Sequence, residues 1–106
     1  MGRALVEEEW MFARTSTWSG SVEALERWAE HVVGQVQPFV AGLPGNAGGM
    51  FLIDREGGRA LTLTLWESEE AAEETDRNAE KSRRSTVEAT GVELLERGRY
   101  EVVAQL

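Results

Sequence analysis

The segment from Arg59 to Trp66 alternates residue by residue and carries apolar bulk on both parities. Leu61, Leu63 and Leu65 fall on one, and Ala60, Thr62, Thr64 and Trp66 on the other. Successive side chains of a strand point to opposite faces of its sheet. A sheet built around this strand therefore needs a layer on each face, one from the chain's own helices and one from elsewhere. A second copy of the same sheet is the simplest source of the outer layer.

The rest of the chain supplies the inner layer. A first strand is expected from about Glu9 to Trp18, rich in aromatics and threonine, and broken by Ser19-Gly20-Ser21. Ser21 offers an N-cap with Glu23 in the first turn. Val22, Leu25, Trp28, Ala29, Val32, Val33, Val36 and Val40 then recur at helical spacing. Pro38 lacks a backbone donor, which predicts an end or kink near Gln37. Leu43 to Gly49 has the composition of a loop, and Met50-Phe51-Leu52-Ile53 is a short apolar strand expected to be buried on both faces. A turn through Asp54 to Gly58 joins it to the Arg59–Trp66 strand as a hairpin.

Ser68 caps a second helix, acidic at its start and basic toward its end, as the helix dipole favours. Its apolar side is thin and made of small residues, mainly Ala71, Ala72 and Ala79, and its acidic residues are expected on a solvated face. Gly91 is the C-cap. A last strand follows from about Val92 to Ala104, bent at Gly98. The order β-α-β-β-α-β is the split β-α-β arrangement. It predicts an α+β, ferredoxin-like fold: a four-stranded antiparallel sheet with both helices on one face.

Composition narrows the partners. The chain has 106 residues, 42% hydrophobic and 28% charged, which suits one globular domain. Chains of this length bury only about two-thirds of their unfolded surface, so added burial in a dimer is useful. Nineteen acidic against eleven basic residues give a net charge of -8, which disfavours nucleic acid and anionic membranes as partners. There are no cysteines, so disulfides, thiolate catalysis and Cys-rich zinc sites are out, and a cytoplasmic location is the default expectation. No apolar run reaches the length of a membrane span. Residues 1–10 look like a short polar leader, with a single domain over 11–106.

One stretch points to a family. Leu63-Thr64-Leu65-Trp66-Glu67-Ser68-Glu69-Glu70-Ala71 resembles the strand-to-helix junction of the antibiotic biosynthesis monooxygenase superfamily, the dimeric α+β barrel proteins. The Pro44-Gly45 loop and Arg99-Tyr100-Glu101-Val102 are also similar to members of it, and the likeness runs from about Met11 to Val103. The resemblance implies a homodimer with its sheets packed into a barrel through the Leu61/Leu63/Leu65 face. It implies a ligand cleft in each monomer, lined by the Thr62/Thr64/Trp66 face.

Two enzymatic branches bear on function. Cofactor-free monooxygenases of the superfamily oxidise polycyclic phenols such as anthrones with O₂, the deprotonated substrate itself donating the electron. That branch has an Asn four residues before the motif Trp, a Tyr six after it, and an Arg further along the helix. Here Trp66 matches, Thr62 and Ala72 occupy the first two positions, and Arg83 or Arg84 could supply the third. A haem-degrading branch uses an Asn, a Trp and a His where this chain has Ala13, Thr75 and about Ser85, so haem is not expected.

The resemblance and the residues together suggest a cofactor-independent monooxygenase, or related enzyme, acting on a small aromatic or polyketide-like molecule. The alternative is a non-catalytic ligand-binding or structural dimeric module, which the missing Asn and Tyr favour. No cofactor and no metal is expected. Trp66 and Arg14 are the candidate catalytic residues: a ring that can stack on an aromatic ligand, and a cation able to hold an enolate. Thr62, Thr64, Tyr100 and Trp28 are candidate ligand contacts. Each has a packing alternative. His31, the only histidine, falls among the Glu and Arg of the first helix, away from its apolar stripe, and has no spaced partner for a metal.

Overall fold

The computed structural model describes residues 2–4 and 11–106. Its elements run β1 (Arg3–Ala4), β2 (Met11–Ser19), α1 (Val22–His31), a π-helical segment (Val32–Val36), α2 (Gln37–Ala41), β3 (Asn46–Asp54), β4 (Arg59–Trp66), α3 (Glu69–Thr90), β5 (Glu93–Val102) and β6 (Ala104–Gln105). The main sheet has the order β3-β4-β2-β5, antiparallel throughout. β1 and β6 form a separate short antiparallel pair, so part of the expected leader is tied to the C-terminal strand. Glu9 and Trp10, expected at the start of the first strand, lie outside the described residues.

The caps read from the sequence are in place. Ser21 Oγ accepts from Ala24 N at the start of α1, and Ser68 Oγ accepts from Ala71 N at the start of α3. Gly91 closes α3 at φ 83°, its N–H bonding Val87 O. The β3–β4 turn is held by Asp54 Oδ1, which accepts from Gly57 N at 2.9 Å. Trp18, Leu25, Trp28, Val32 and Val92 form the core cluster between the sheet and the first helix. Trp66 is fully buried at the far end of β4.

Three expectations need correction. The break in the first helix, expected as an end or kink near Gln37, starts earlier and does not end the helix. Its regular winding stops at His31, passes through the π segment, and resumes over Gln37–Ala41 with Pro38 in the first turn. The wider turn, closed by Gln37 N–H to Val32 O, comes just before Pro38 and lets the chain absorb a residue that cannot donate. β3 begins at Asn46, inside the expected loop, because a sheet edge tolerates Gly48 and Gly49. Gly49 is needed there, since a Cβ would lie 2.4 Å from Leu63 O. Finally, β3 is not buried on both faces: it is an edge strand, and Met50 and Leu52 are exposed on the side away from the helices.

That outer side also carries Leu61, Leu63 and Leu65 from β4 and Tyr100 from β5, as the register shows. Nothing in the chain's described residues forms a layer over it.

Candidate functional site

The helix-facing side of the sheet is built in rows. Phe12 pairs with Trp66; next come Arg14, Thr64 and Arg99; then Ser16, Thr62 and Arg97; then Trp18 beside Ala60. α3 runs above these rows, and its residues at steps of three and four meet them: Ala72, Thr75, Asp76, Ala79, Ser82, Arg83 and Thr86. Small side chains dominate that stripe, so the helix does not fill the space beneath it. A cavity of about 490 Å³ remains between α3 and the sheet, with Val36, Val40 and Phe51 closing one side. That is the size of an ordinary small-molecule pocket.

Four of the six expected site residues line this cavity: Arg14, Thr62, Thr64 and Trp66. The Trp66 indole N–H donates to Thr64 Oγ1 at 3.0 Å, which fixes the ring plane at one end. Thr62 Oγ1 donates to Ser16 O. Arg14 Nε donates to Asp76 Oδ2 at 2.8 Å, and Arg14 Nη1 bonds its neighbour's carbonyl at Ala13. The Arg14 side chain is only 12% exposed. Arg99 Nη2 approaches the same Asp76 oxygen at 3.3 Å from a more exposed position.

Trp28 and Tyr100 are not in the site. Trp28 is 2% exposed within the core cluster, where α1 packs on the sheet beyond the cavity's end. Its spacing with Leu25 and Val32 on one helical stripe already favours packing. Tyr100 is 58% exposed on the opposite face, because it pairs with Ala13, whose parity points away from the helices.

The sequence reading missed Asp76, Arg97 and Arg99. Asp76 was expected on a solvated face, yet it points inward between two arginines. Ser, Thr and Ala counted together as small residues trace an inward stripe from Ala72 to Thr90 that passes through Asp76 and Arg83. Arg97 and Arg99 sit on an edge strand, where alternating charge looks like ordinary edge protection. Of the two helical arginines weighed for the family's Arg position, Arg83 lines the cavity, while Arg84 is outside and forms an i,i+4 pair with Glu80.

Charge is the site's most distinctive property. Arg14, Arg83, Arg97 and Arg99 line it against the single carboxylate of Asp76, a balance of +3 within a chain of net -8. Burial lowers the pKa of Arg83, and the nearby charge of Arg97 lowers it further, against the opposing pull of Asp76 and Glu80. A guanidinium remains charged through such shifts. No cluster of three or more potential metal ligands occurs among the described residues. No helix among them is long and apolar enough to cross a membrane.

No protein-family model matches the sequence. Two uncharacterized proteins of Mycobacterium tuberculosis are 33% identical over 67 residues, which is 62% of this chain, and the chain spans only 30% of their length. Solved structures match more completely in shape. The monooxygenase from ActVA-Orf6 of Streptomyces coelicolor, in complex with nanaomycin D, superposes with a TM-score of 0.64 at 16% identity, over 92% of this chain and 89% of that one. The cofactor-independent oxygenase SnoaB of Streptomyces nogalater gives 0.58 at 15% identity, over 85% and 90%. A Deinococcus radiodurans protein assigned to the antibiotic biosynthesis monooxygenases gives 0.68 at 15%, over 84% and 89%. Element order, sheet topology and these superpositions agree: the chain has the fold of the antibiotic biosynthesis monooxygenase superfamily.

Proposed function

We propose that this protein is a cofactor-independent monooxygenase for a small aromatic or polyketide-like molecule, bound in the cavity beneath α3. The observation that carries the reading is an open cavity of about 490 Å³, walled by Trp66 at one end and by cationic groups along its length. A substrate of the anthrone type, once deprotonated, holds its charge on a planar ring system. Trp66 supplies a surface to stack on, and the guanidiniums of the wall stabilise the anion that reduces O₂. The balance closes without a cofactor: the ring CH₂ becomes C=O, one oxygen atom enters the product, and the other leaves as water. The neighbouring structures of two oxygenases support the same chemistry. Arg14 and Trp66 are the residues assigned to it, with Thr62 and Thr64 as wall contacts.

The same reading includes a homodimer. The Leu61/Leu63/Leu65 side of the sheet, with exposed Met50, Leu52 and Tyr100 around it, is a self-complementary apolar surface of the kind two copies cover. The test of activity is O₂ uptake with a panel of anthrones and quinols, followed polarographically with product detection. Uptake that Trp66→Ala abolishes supports the oxygenase.

A non-catalytic ligand-binding module is the second reading, and one observation favours it: among the described residues the only carboxylate lining the cavity is already held by Arg14 and Arg99, so none of them offers a substrate a free general base. Binding of the same compounds with no O₂ uptake decides for it. A purely structural module, with the cleft filled by the protein's own side chains, does not fit the open cavity.

A further inference from the structure

The cavity's cations are not equivalent. Arg14 and Arg99 share Asp76 at the Trp66 end. Arg83 and Arg97 lie further along, where α3 passes over β5, and neither forms an ion pair among the described residues. The charge of Arg97 is close enough to disfavour that of Arg83. Among the described residues Arg83 Nη2 is buried without a hydrogen-bond acceptor, and the buried indole N–H of Trp18, which borders the same end, also lacks one. Arg97 is exposed at the rim, so the unmet demand lies with Arg83 Nη2 and the Trp18 indole, and buried donors without acceptors are rare in folded proteins. This end of the cavity is supplied with donors and short of one acceptor that is both anionic and able to take several N–H bonds.

Arg83 and Arg97 also form the wall between the main cavity and a second, shallower one of about 350 Å³, lined in addition by Glu80, Arg84, Val87 and Leu94. Three guanidiniums, of Arg83, Arg84 and Arg97, line that side against the carboxylate of Glu80. In a chain of net -8, this is a local reversal of sign that draws anions to one opening.

From this geometry we propose that Arg83 and Arg97 form an oxyanion site for a permanent carboxylate on the ligand. The substrate class is thereby an aromatic carboxylic acid, its ring body lying toward Trp66, Phe51 and Val40. The proposal rests on the reading of the cavity as a small-molecule site and adds a head group to it. A planar carboxylate matches a guanidinium fork two oxygens at a time. A phosphate dianion fits less well, because Arg83 lies in the C-terminal half of α3, on the negative side of the helix dipole, and no helix N-terminus or glycine-rich turn faces this end.

The test is binding of 2-naphthoate against its neutral isostere 2-naphthamide, read by calorimetry and by quenching of tryptophan fluorescence, in the full chain and in Arg83→Gln and Arg97→Gln. The acid is expected to bind about tenfold to hundredfold more tightly than the amide, the ordinary range for hydrogen bonds to a charged group. Each variant should lose most of that difference and leave amide binding nearly unchanged, and Arg83→Lys should restore part of it. Tighter binding of 2-naphthyl phosphate than of the acid overturns the carboxylate assignment. Equal binding of acid and amide, or equal loss of both in the variants, overturns the oxyanion site while the cavity reading stands. No binding of any of the three compounds at millimolar concentration overturns both. A variant that fails to fold shows itself by circular dichroism, and the acid-to-amide ratio in the unaltered chain then decides.

Discussion

Removing the carboxylate of Asp76 should destabilise the fold through what it leaves behind. Arg14 is 12% exposed and Asp76 30% exposed as side chains, and their 2.8 Å contact is charge-assisted. Breaking a fully buried ion pair from one side costs roughly 3–5 kcal/mol, whereas exposed pairs are worth about 0–1 kcal/mol. Asp76 keeps some contact with water, and the emptied space joins a cavity that can hydrate, so Asp76→Ala should cost about 2 kcal/mol. For a domain of this size that lowers Tm by roughly 8–16 °C. Urea unfolding of Asp76→Ala, Arg14→Met and the double variant separates the pair from its surroundings. The double variant should lose less than the sum of the singles, with a coupling of about 1 kcal/mol or more. Arg99→Met should change stability by no more than about 0.5 kcal/mol, since its side chain is 64% exposed. A Tm change under about 2 °C for Asp76→Ala, or additive singles, refutes the view that Asp76 acts as the inward counter-ion of Arg14.

Other parts of the structure make shorter predictions. Thr64→Val keeps the strand's branched side chain but strands the buried Trp66 N–H, and should cost about 1–2 kcal/mol in urea unfolding, with a shift in tryptophan emission. Gly45→Ala places a Cβ 2.6 Å from the Ala71 side chain at a residue with φ 80°, and should destabilise by about 1–3 kcal/mol. Pairing it with Ala71→Gly should recover only part of the loss, because the backbone strain remains. Sedimentation of the unaltered chain should give the proposed dimer, and Leu63→Glu should leave a folded monomer; a dimer that survives the charge shows that the outer sheet face is not the interface.

The fold was legible because its signals are local and repeat. Strand parity at Arg59–Trp66, hydroxyl caps at Ser21 and Ser68, and the left-handed stop at Gly91 each have one physical reading. The failures fall where a local rule met a tertiary exception. Pro38 does break regular winding, but a widened turn absorbs the break and the helix goes on. Gly48 and Gly49 look like loop residues, yet an edge strand accepts them where the neighbouring backbone comes close. The site divides the same way. Alternation puts Thr62, Thr64 and Trp66 on one face, and the family resemblance gave that face to the cleft; the side Arg14 takes was open until its pairing with Thr64 fixed it. Asp76 was not legible, because a charged residue on a helix looks solvated unless its stripe is known to stand off the sheet, and for the same reason Arg83 could not be separated from Arg84. The face of Tyr100 depends on its pairing with Ala13, which no single strand reveals.

The two faces of the sheet meet opposite demands, and this separates packing from function. The outer face carries Leu61, Leu63, Leu65, Met50, Leu52 and Tyr100 along most of its length, with Arg59, Asp54 and Glu96 toward one end. The inner face departs from what packing alone would select. At the Trp18 end it is filled to a buried core, whereas along α3 the same face holds short Thr, Ser and Ala side chains over unfilled space. Leucine on that stripe would fill the space and add stability, and arginines facing each other across it subtract from stability. A chain that keeps a cavity, gathers four guanidiniums around it and supplies them with one carboxylate is carrying local costs that the fold does not require. Positions that break the packing rules together, in one place, and with one sign of charge are those where a ligand completes the structure. On that ground the ligand we propose for this cavity is an anion with an apolar body.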